Sequence, residues 1–306
     1  MPADDTSHRH QGEAGHNGSF RDFFAIPGPV KRLFDQFPLL HYPANTLPAR
    51  SAPRGPRSTL YIFTTDERAF QQRPSFNPQC LKWQTFLKFS GVDFDTARSN
   101  NHASPTGALP FILLPPVDAS TLTSRLPVPA NKLHQWAEQH GRPIPDVQDL
   151  RSEAYQSLVD FRIMNAWLYA LYLEPANADI ARRLYIDPCS TNPLVRLTIA
   201  HQLRSAAQDE LHRASPIINV IDTYREAQKA FDALDTLLGD HSWFFGEKEP
   251  GLFDASVFSY THLLLSDVMG WIDQRLVDVV RGRPNLARHH ERILAEFYGV
   301  RPGQDR

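Results

Sequence analysis

The residues Asn77-Pro78-Gln79-Cys80 form the motif of this chain that comes nearest to known chemistry. A Cys-Pro-x-Cys motif after a strand and at the start of a helix does redox chemistry, because the helix N-terminus activates the first thiol as a nucleophile. Asn77 stands in that first position here, and an amide can cap a helix but cannot attack a substrate. Cys80 then falls inside the helix, where we expect a buried thiol that packs as a small apolar side chain.

Asp254 is a second residue whose type and place suggest a role. It stands before the apolar stretch of residues 255–265, where a carboxylate satisfies free N–H groups of a helix start and interacts favourably with the helix dipole. No base or nucleophile stands near it in the sequence, so we interpret Asp254 as a cap and not as a catalytic acid. Its removal is then expected to cost about 1 kcal/mol.

The histidines and cysteines do not form a metal-binding pattern, although the chain has 13 His and 2 Cys. His289 and His290 are adjacent on a predicted helix and point to different faces, and Cys80 and Cys189 lie far apart. The sequence also contains no phosphate-binding glycine loop, zinc-protease motif or serine-hydrolase motif. We therefore predict no metal, no cofactor and no catalytic residue.

Around the Asn77 motif the residue pattern predicts a small α/β unit. Asn77 is a good helix cap, Pro78 suits the first helical position, and Gly91 suits the end of the helix. The predicted elements are, in order, a strand over 59–65, a helix over 78–91, strands over 92–99 and 111–114, a further strand or hairpin within 117–128, and a helix over 133–141.

From about residue 147 the pattern changes to helices only. The predicted helices lie near 148–173, 176–186, 193–212, 216–238, 252–270, 272–281 and 285–297. The predicted organisation is a disordered polar tail at 1–19, an extended arm at 20–57, an α/β domain at 58–146 and an all-helical domain at 147–306.

The arm of residues 20–57 combines apolar side chains with closely spaced prolines, which exclude a long helix or a central strand. Two interpretations remain open: the arm packs on its own domain, or it docks on another protein. The candidate partner-binding residues are Phe23, Phe24, Ile26, Val30, Leu33, Phe34, Phe37, Leu40 and Tyr42.

Composition narrows the function classes. The formal net charge of −2 argues against a nucleic-acid binder, and two cysteines fit a reducing compartment. The most apolar stretches, residues 163–173 and 255–272, are too short or too polar to span a membrane. The N-terminus lacks the apolar segment of a secretory signal, so any membrane contact is expected to be peripheral.

The order of these elements resembles the glutathione-transferase fold, with a thioredoxin-like N-terminal domain and an all-helical C-terminal domain. The stretch Ala108-Leu109-Pro110-Phe111 is similar to the start of the third strand in that fold, which implies a cis peptide bond at Pro110. The residues Gly251-Leu252-Phe253-Asp254-Ala255 resemble the segment in which an Asp begins a buried helix of that fold, and residues 284–293 resemble its last helix.

Within that superfamily the chain resembles the metaxin family. Three stretches carry this likeness, namely residues 75–91, 252–258 and 284–293. The arm, with Val30-Lys31-Arg32-Leu33-Phe34 and Tyr42-Pro43-Ala44-Asn45, resembles the start of the smaller metaxin-type subunit of the fungal mitochondrial sorting and assembly machinery.

The resemblance implies a non-enzymatic, peripheral subunit on the cytosolic face of the mitochondrial outer membrane. Such a subunit caps a membrane β-barrel assembly subunit, partners a larger metaxin-like subunit and helps to receive the sorting signals of β-barrel precursors. Because a sorting signal is an amphipathic strand, its recognition could use strand addition or an apolar groove.

Two other functions share the fold, since a fold does not decide a function. A glutathione-dependent transferase or reductase needs a thiol-activating Ser, Tyr or Cys after the first strand, where this chain has Asn77. Ser75 and Tyr61 are nearby hydroxyls without an obviously suitable position. Such an enzyme also needs an acidic turn before the next helix, and residues 128–131 read Val-Pro-Ala-Asn. A GST-like scaffold module of another complex is the third possibility.

Overall fold

The computed structural model describes residues 57–104, 106–115, 127–144 and 149–300. The predicted tail, and the predicted arm except Arg57, lie outside these residues. So does most of the predicted strand or hairpin within 117–128, of which only Pro127 and Val128 are described.

A mixed four-stranded sheet forms the first part of the described chain. Its strands are β1 (Ser58–Ile62), β2 (Phe94–Arg98), β3 (Phe111–Leu113) and β4 (Val128–Pro129), in the spatial order β2-β1-β3-β4. β1 pairs parallel with β2 and antiparallel with β3, so Leu60 lies opposite both Thr96 and Ile112. Leu60 and Ile112 are fully buried, which places them in the core of this domain.

Three α-helices accompany the sheet. They are α1 (Asp66–Phe70), α2 (Pro78–Phe89) and α3 (Leu133–His140). The two predicted helices of this domain are confirmed as α2 and α3. The prediction missed α1. The predicted strand 59–65 ends early because Thr65 caps α1 by accepting a hydrogen bond from Arg68 N. A five-residue helix is too short to show a periodic apolar face.

The second part of the chain is helical, as predicted. A continuous helix, α4, covers residues 152–173 and alternates α segments with π-helical turns at Leu158–Ile163 and Tyr169–Leu173. The helix α5 covers residues 178–186. The remaining helices are α6 (Pro193–Ala214), α7 (Val220–Leu238), α8 (Leu252–Leu265), α9 (Arg275–Arg281) and α10 over residues 284–298.

Helix α8 is the centre of the helical domain. Each of its residues from Phe253 to Leu264 is buried, as expected for a helix that is apolar on all sides. It packs along α2 of the sheet domain. Tyr298 at the end of α10 joins the same contact, because its hydroxyl is 2.8 Å from Thr85 Oγ1 on α2 and its ring lies under the Lys88 ammonium.

The two domains therefore share one core along α2 and α8. The predicted boundary between residues 146 and 147 falls within 145–148, outside the described residues, between the end of α3 at His140 and the start of α4 at Ser152. Within the described residues, no helix is long and apolar enough to cross a membrane.

Candidate functional site

The start of helix α2 is the position where the sequence places the only motif related to known chemistry. Asn77 has extended backbone angles, and its side-chain oxygen accepts a hydrogen bond of 3.1 Å from Cys80 N. Pro78 occupies the first helical position, where its missing N–H costs nothing. The structure thus gives Asn77 and Pro78 the capping roles that the sequence predicts.

The loop before α2 is held by a buried polar network. Ser75, fully buried, donates its hydroxyl to Phe63 O at 2.6 Å and accepts a bond from Asn77 N at 3.2 Å. Gln84 on α2 accepts from Ser75 N at 2.8 Å and donates to Arg73 O at 2.9 Å. The Ser75 hydroxyl therefore hydrogen-bonds the backbone at both Phe63 and Asn77. Sequence reasoning missed Gln84, because a buried position in the middle of the helix gives no local signal.

Cys80 is a structural thiol. Its side chain is fully buried, and burial raises its pKa from about 9 to about 12, although hydrogen bonds from the Phe63 backbone and Ser75 act in the opposite direction. At neutral pH the thiol is neutral, and only the thiolate is a nucleophile.

An aromatic cluster lies in front of Asn77, and we call its four residues Phe63, Phe76, Tyr172 and Tyr185 the aromatic cover. Tyr185, from α5, donates its hydroxyl to Phe76 O at 2.7 Å, and the Asn77 side chain lies within hydrogen-bonding reach of this hydroxyl. The Tyr185 ring centre is 5.2 Å from that of Phe63, 5.6 Å from that of Phe76 and 6.2 Å from that of Tyr172. The helical domain thus supplies the side chain that closes the start of α2.

Burial keeps the Tyr185 hydroxyl neutral. The side chain is only 4% exposed, and burial raises its pKa well above 10. A neutral phenol donates the bond to Phe76 O but does not provide a phenolate that would act as a base at neutral pH. Tyr61, the other hydroxyl considered from the sequence, lies on β1, where its ring stacks on Phe111 with the centres 4.8 Å apart.

Little space remains beside the aromatic cover. The cleft between Phe63, Arg98 and Tyr185 has a volume of about 20 Å³, which is room for about one water molecule. Sites for small organic ligands usually measure about 300–1,000 Å³. Thr64 Oγ1 borders this cleft, is buried and has no hydrogen-bond partner in the described part of the chain. One water molecule fits beside this hydroxyl.

Two other positions, which the resemblance to the glutathione-transferase fold singles out, have backbone roles. The Leu109–Pro110 peptide bond is cis and directly precedes β3, as the resemblance implies. The turn Val128-Pro129-Ala130-Asn131 forms β4 and the start of a 3₁₀ turn, and it has no carboxylate to hold a peptide amine.

Asp254 lies in the core and has partners that are distant in the sequence. Helix α8 begins at Leu252, so Asp254 is inside the first turn and not before it. Its carboxylate accepts bonds from Gly251 N at 2.9 Å and from Phe244 N at 3.1 Å. His289 Nε2 lies 2.9 Å from the same carboxylate. Asp254 and His289 are 2% and 0% exposed. Asp254 therefore caps the helix as predicted, although nothing near it in the sequence indicates its histidine partner.

The neighbouring histidine has a different partner. His290 Nε2 lies 3.1 Å from His262 Nδ1 of α8, and the Phe258 ring stacks on both imidazoles. His289 and His290 thus point in different directions, as predicted. Among the described residues, no three His, Cys, Asp or Glu side chains are arranged to hold a metal ion.

The predicted partner-binding residues cannot be placed in the fold, because all nine lie outside the described residues. They are Phe23, Phe24, Ile26, Val30, Leu33, Phe34, Phe37, Leu40 and Tyr42.

Comparison with protein families agrees with the two-domain architecture. The family model of the glutathione S-transferase N-terminal domain matches residues 78–177, and that of the glutathione S-transferase C-terminal domain matches residues 227–293. A search of curated proteins finds no match.

A solved structure shows the same fold. Glutathione transferase GSTFuA3 from Phanerochaete chrysosporium superposes with a TM-score of 0.52 and 14% identity over 78% of this chain and 96% of that one. A glutathione S-transferase from Methylobacterium radiotolerans, in complex with glutathione sulfonate, has a TM-score of 0.46 and 18% identity over 79% and 92% of the two chains. At these identities the likeness concerns the fold alone.

The chain is a GST-like protein, with an N-terminal thioredoxin-like sheet domain and a helical C-terminal domain. It keeps the cis-proline and the capped buried helix expected of this fold. At the start of α2 it carries the amide of Asn77 and a buried thiol, Cys80.

Proposed function

We propose that this GST-like protein is a non-enzymatic subunit of the mitochondrial outer-membrane β-barrel sorting and assembly complex. It lies peripherally on the cytosolic face, caps the barrel subunit beside a larger metaxin-like subunit, and helps to receive β-barrel precursors. It works without a cofactor.

The observation that carries the non-enzymatic part is the side-chain chemistry at the start of α2. A transferase must bring a thiol to an activating group in a site that admits a tripeptide. Asn77 cannot activate a thiol, and Cys80 stays protonated at neutral pH because burial raises its pKa. The fold is then used as a rigid body that carries binding surfaces.

The assignment to this complex is supported by the metaxin-like stretches at 75–91, 252–258 and 284–293 and by the arm. Two of these stretches form the α2–α8 contact that joins the domains. The arm adds an apolar, proline-rich segment of the kind that docks on a partner surface.

The test is a gentle detergent pull-down of the tagged full-length chain from fungal mitochondria, with identification by mass spectrometry. We expect recovery of a β-barrel assembly subunit together with a second metaxin-like protein. Deletion of residues 20–56 should reduce this recovery more than it lowers the melting temperature of the folded core. Recovery of the chain alone would contradict the proposal.

A glutathione-dependent transferase or reductase is the alternative, because the matched domain families and the superposed GSTFuA3 are glutathione transferases. Retention of this chain on immobilised glutathione, with turnover of a thiol-reactive substrate, would establish that function. A GST-like scaffold of another complex would instead copurify with soluble partners and without a barrel subunit.

A further inference from the structure

The lysines of the described chain differ in their surroundings, and Lys82 on α2 is the least typical of them. Lys132, Lys229 and Lys248 are exposed, and the Lys229 ammonium bonds the Glu226 carboxylate at 2.9 Å. Lys82 is half-buried, although lysine is rarely removed from water unless its charge is paired. An ammonium in such a place needs a compensating partner, or its charged form becomes unfavourable.

No close partner holds the Lys82 ammonium. Within the described residues, no carboxylate lies within 4.0 Å of its Nζ atom, and no oxygen accepts a hydrogen bond from it. The Nζ atom lies 5.8 Å from the centre of the Trp83 ring, at the outer limit of a cation–π contact. Lys82 therefore keeps a charge in a partly apolar place without a direct ion pair.

The acidic group that faces Lys82 across the junction of the domains is Asp160. It belongs to the π-helical turn Leu158–Ile163 of α4, and its Oδ1 accepts a hydrogen bond of 2.9 Å from Gln156 Nε2. Tyr260 of α8 lies near the same carboxylate, which together with burial raises the pKa of the tyrosine hydroxyl. Asp160 therefore attracts the Lys82 ammonium from a distance without binding it.

Burial outweighs this attraction. Burial lowers the pKa of Lys82, and the Asp160 carboxylate acts in the opposite direction. Burial also lowers the pKa of Lys88, but the Lys88 ammonium lies only 4.8 Å from the centre of the Tyr298 ring, which favours the charged form. A lysine that is partly removed from water is activated as a nucleophile, because its neutral amine carries a free electron pair.

We infer that Lys82 is an acylation site, at which the amine accepts an acyl group from a small thioester. The nitrogen attacks the carbonyl carbon, so a C–N bond forms and the C–S bond breaks. The nitrogen loses a proton to the departing thiolate, and the products are an amide and a free thiol. The reaction needs no oxidant and no further co-reactant. This inference goes beyond the proposed function and does not depend on it.

The surroundings of Lys82 also select the acyl group and define the consequence of its transfer. The half-buried position beside the Trp83 ring favours a short, uncharged group such as acetyl. An acylated lysine carries no charge. Acylation would therefore remove the positive charge opposite Asp160 at the junction of α2 and α4.

The test incubates the purified full-length chain with the acetyl thioester of N-acetylcysteamine and follows each lysine by peptide mass spectrometry. At about pH 7.5, we expect Lys82 to be acetylated at least about threefold faster than Lys229 or Lys248. Its rate should also level off at a lower pH than theirs, because its amine becomes neutral at a lower pH. Lys82→Arg should lose the fast reaction.

Asp160→Asn tests the electrostatic part of the inference. It removes the carboxylate that favours the ammonium and keeps an oxygen for Gln156, so Lys82 should be acetylated at least about twofold faster. Asp278→Asn is the matched control, because Asp278 on α9 is 69% exposed and pairs with Arg281 at 3.6 Å. It should leave the rate at Lys82 unchanged.

Acetylation of Lys82 no faster than that of the exposed lysines would overturn this inference, and so would a common pH profile for all of them. Preferential acetylation of Lys88 would also overturn it, by assigning the reactive amine to the other half-buried lysine. An unchanged rate in Asp160→Asn would contradict the role given to the carboxylate. The comparison of lysines within the unmodified chain does not depend on the folding of any variant.

Discussion

Helices α2 and α8 pack along each other, and each begins on a capping side chain. Asn77 caps α2 with a neutral amide oxygen that accepts from Cys80 N. Asp254 serves α8 with a carboxylate that accepts from Gly251 N, and Gly251 has no side chain of its own to do so. Both side chains satisfy free backbone donors, but their surroundings differ.

The start of α2 lies partly exposed at the junction of the domains, where Tyr185 of α5 closes it. The start of α8 lies in the core, where His289 from α10 and the Phe244 backbone also bind the carboxylate. Loss of the capping side chain is therefore expected to destabilise the protein more at α8 than at α2. Removal of a buried acceptor leaves its donors with neither that acceptor nor water as a partner. In both places the polar group is hydrogen-bonded to the backbone.

The largest effect is expected at Asp254. Asp254→Ala would leave two backbone N–H groups and the His289 side chain without their acceptor in a buried site. We expect a loss of about 3–5 kcal/mol of unfolding free energy, measured by urea denaturation. This exceeds the roughly 1 kcal/mol that a simple cap implies.

Asp240→Ala is the control for this prediction, since the Asp240 side chain is fully exposed and only 3.8 Å from Arg288. It should change stability by less than about 0.5 kcal/mol. A similar, small effect of both substitutions would show that Asp254 contributes only as a surface cap would.

The next effect is expected at Tyr185. Tyr185→Ala removes a buried ring from the aromatic cover and should cost about 3 kcal/mol, whereas Tyr185→Phe loses one hydrogen bond and should cost about 1 kcal/mol. Thermal and urea unfolding measure both. Neither variant should conjugate glutathione, because Asn77 remains. Conjugation by Tyr185→Ala would mean that the cover alone suppresses a transferase.

A smaller effect is expected at Asn77. Asn77→Ala should cost about 1 kcal/mol through loss of the cap, and Asn77→Ser should restore most of it because Ser also caps well. Asn77→Ser also places a hydroxyl where a transferase would have one. We still expect no retention on immobilised glutathione, and retention would contradict the view that Tyr185 closes the site.

The smallest effect concerns Cys80. Its thiol should remain unmodified by iodoacetamide at pH 8 in the folded protein and react only after unfolding, as measured by mass spectrometry. Because its pKa is raised from about 9 to about 12 in the folded state, the unfolded chain loses its proton first. The stability difference between the unmodified chain and Cys80→Ala is then present below about pH 9 and falls as the pH rises towards 12. A pH-independent difference would contradict this burial effect.

Much of the fold can be read from local sequence. Asn77, Pro78 and Gly91 define the bounds of α2, and the mostly apolar sequence of α8 predicts a buried helix. The cis bond before Pro110 follows from the fold resemblance. Helix α1 was missed because a five-residue element has no period to detect.

The sequence by itself determined the class of fold, the capping role of Asn77 and the burial of Cys80, since these depend on residue type and near neighbours. Only the tertiary structure decided that Tyr185 closes the start of α2, 109 residues from its partner Phe76, and that His289 reaches Asp254 across 35 residues. It also placed Phe161 of α4 and Ile217 on one surface depression. Contacts between such distant residues depend on how helices pack, which no local spacing or periodicity encodes.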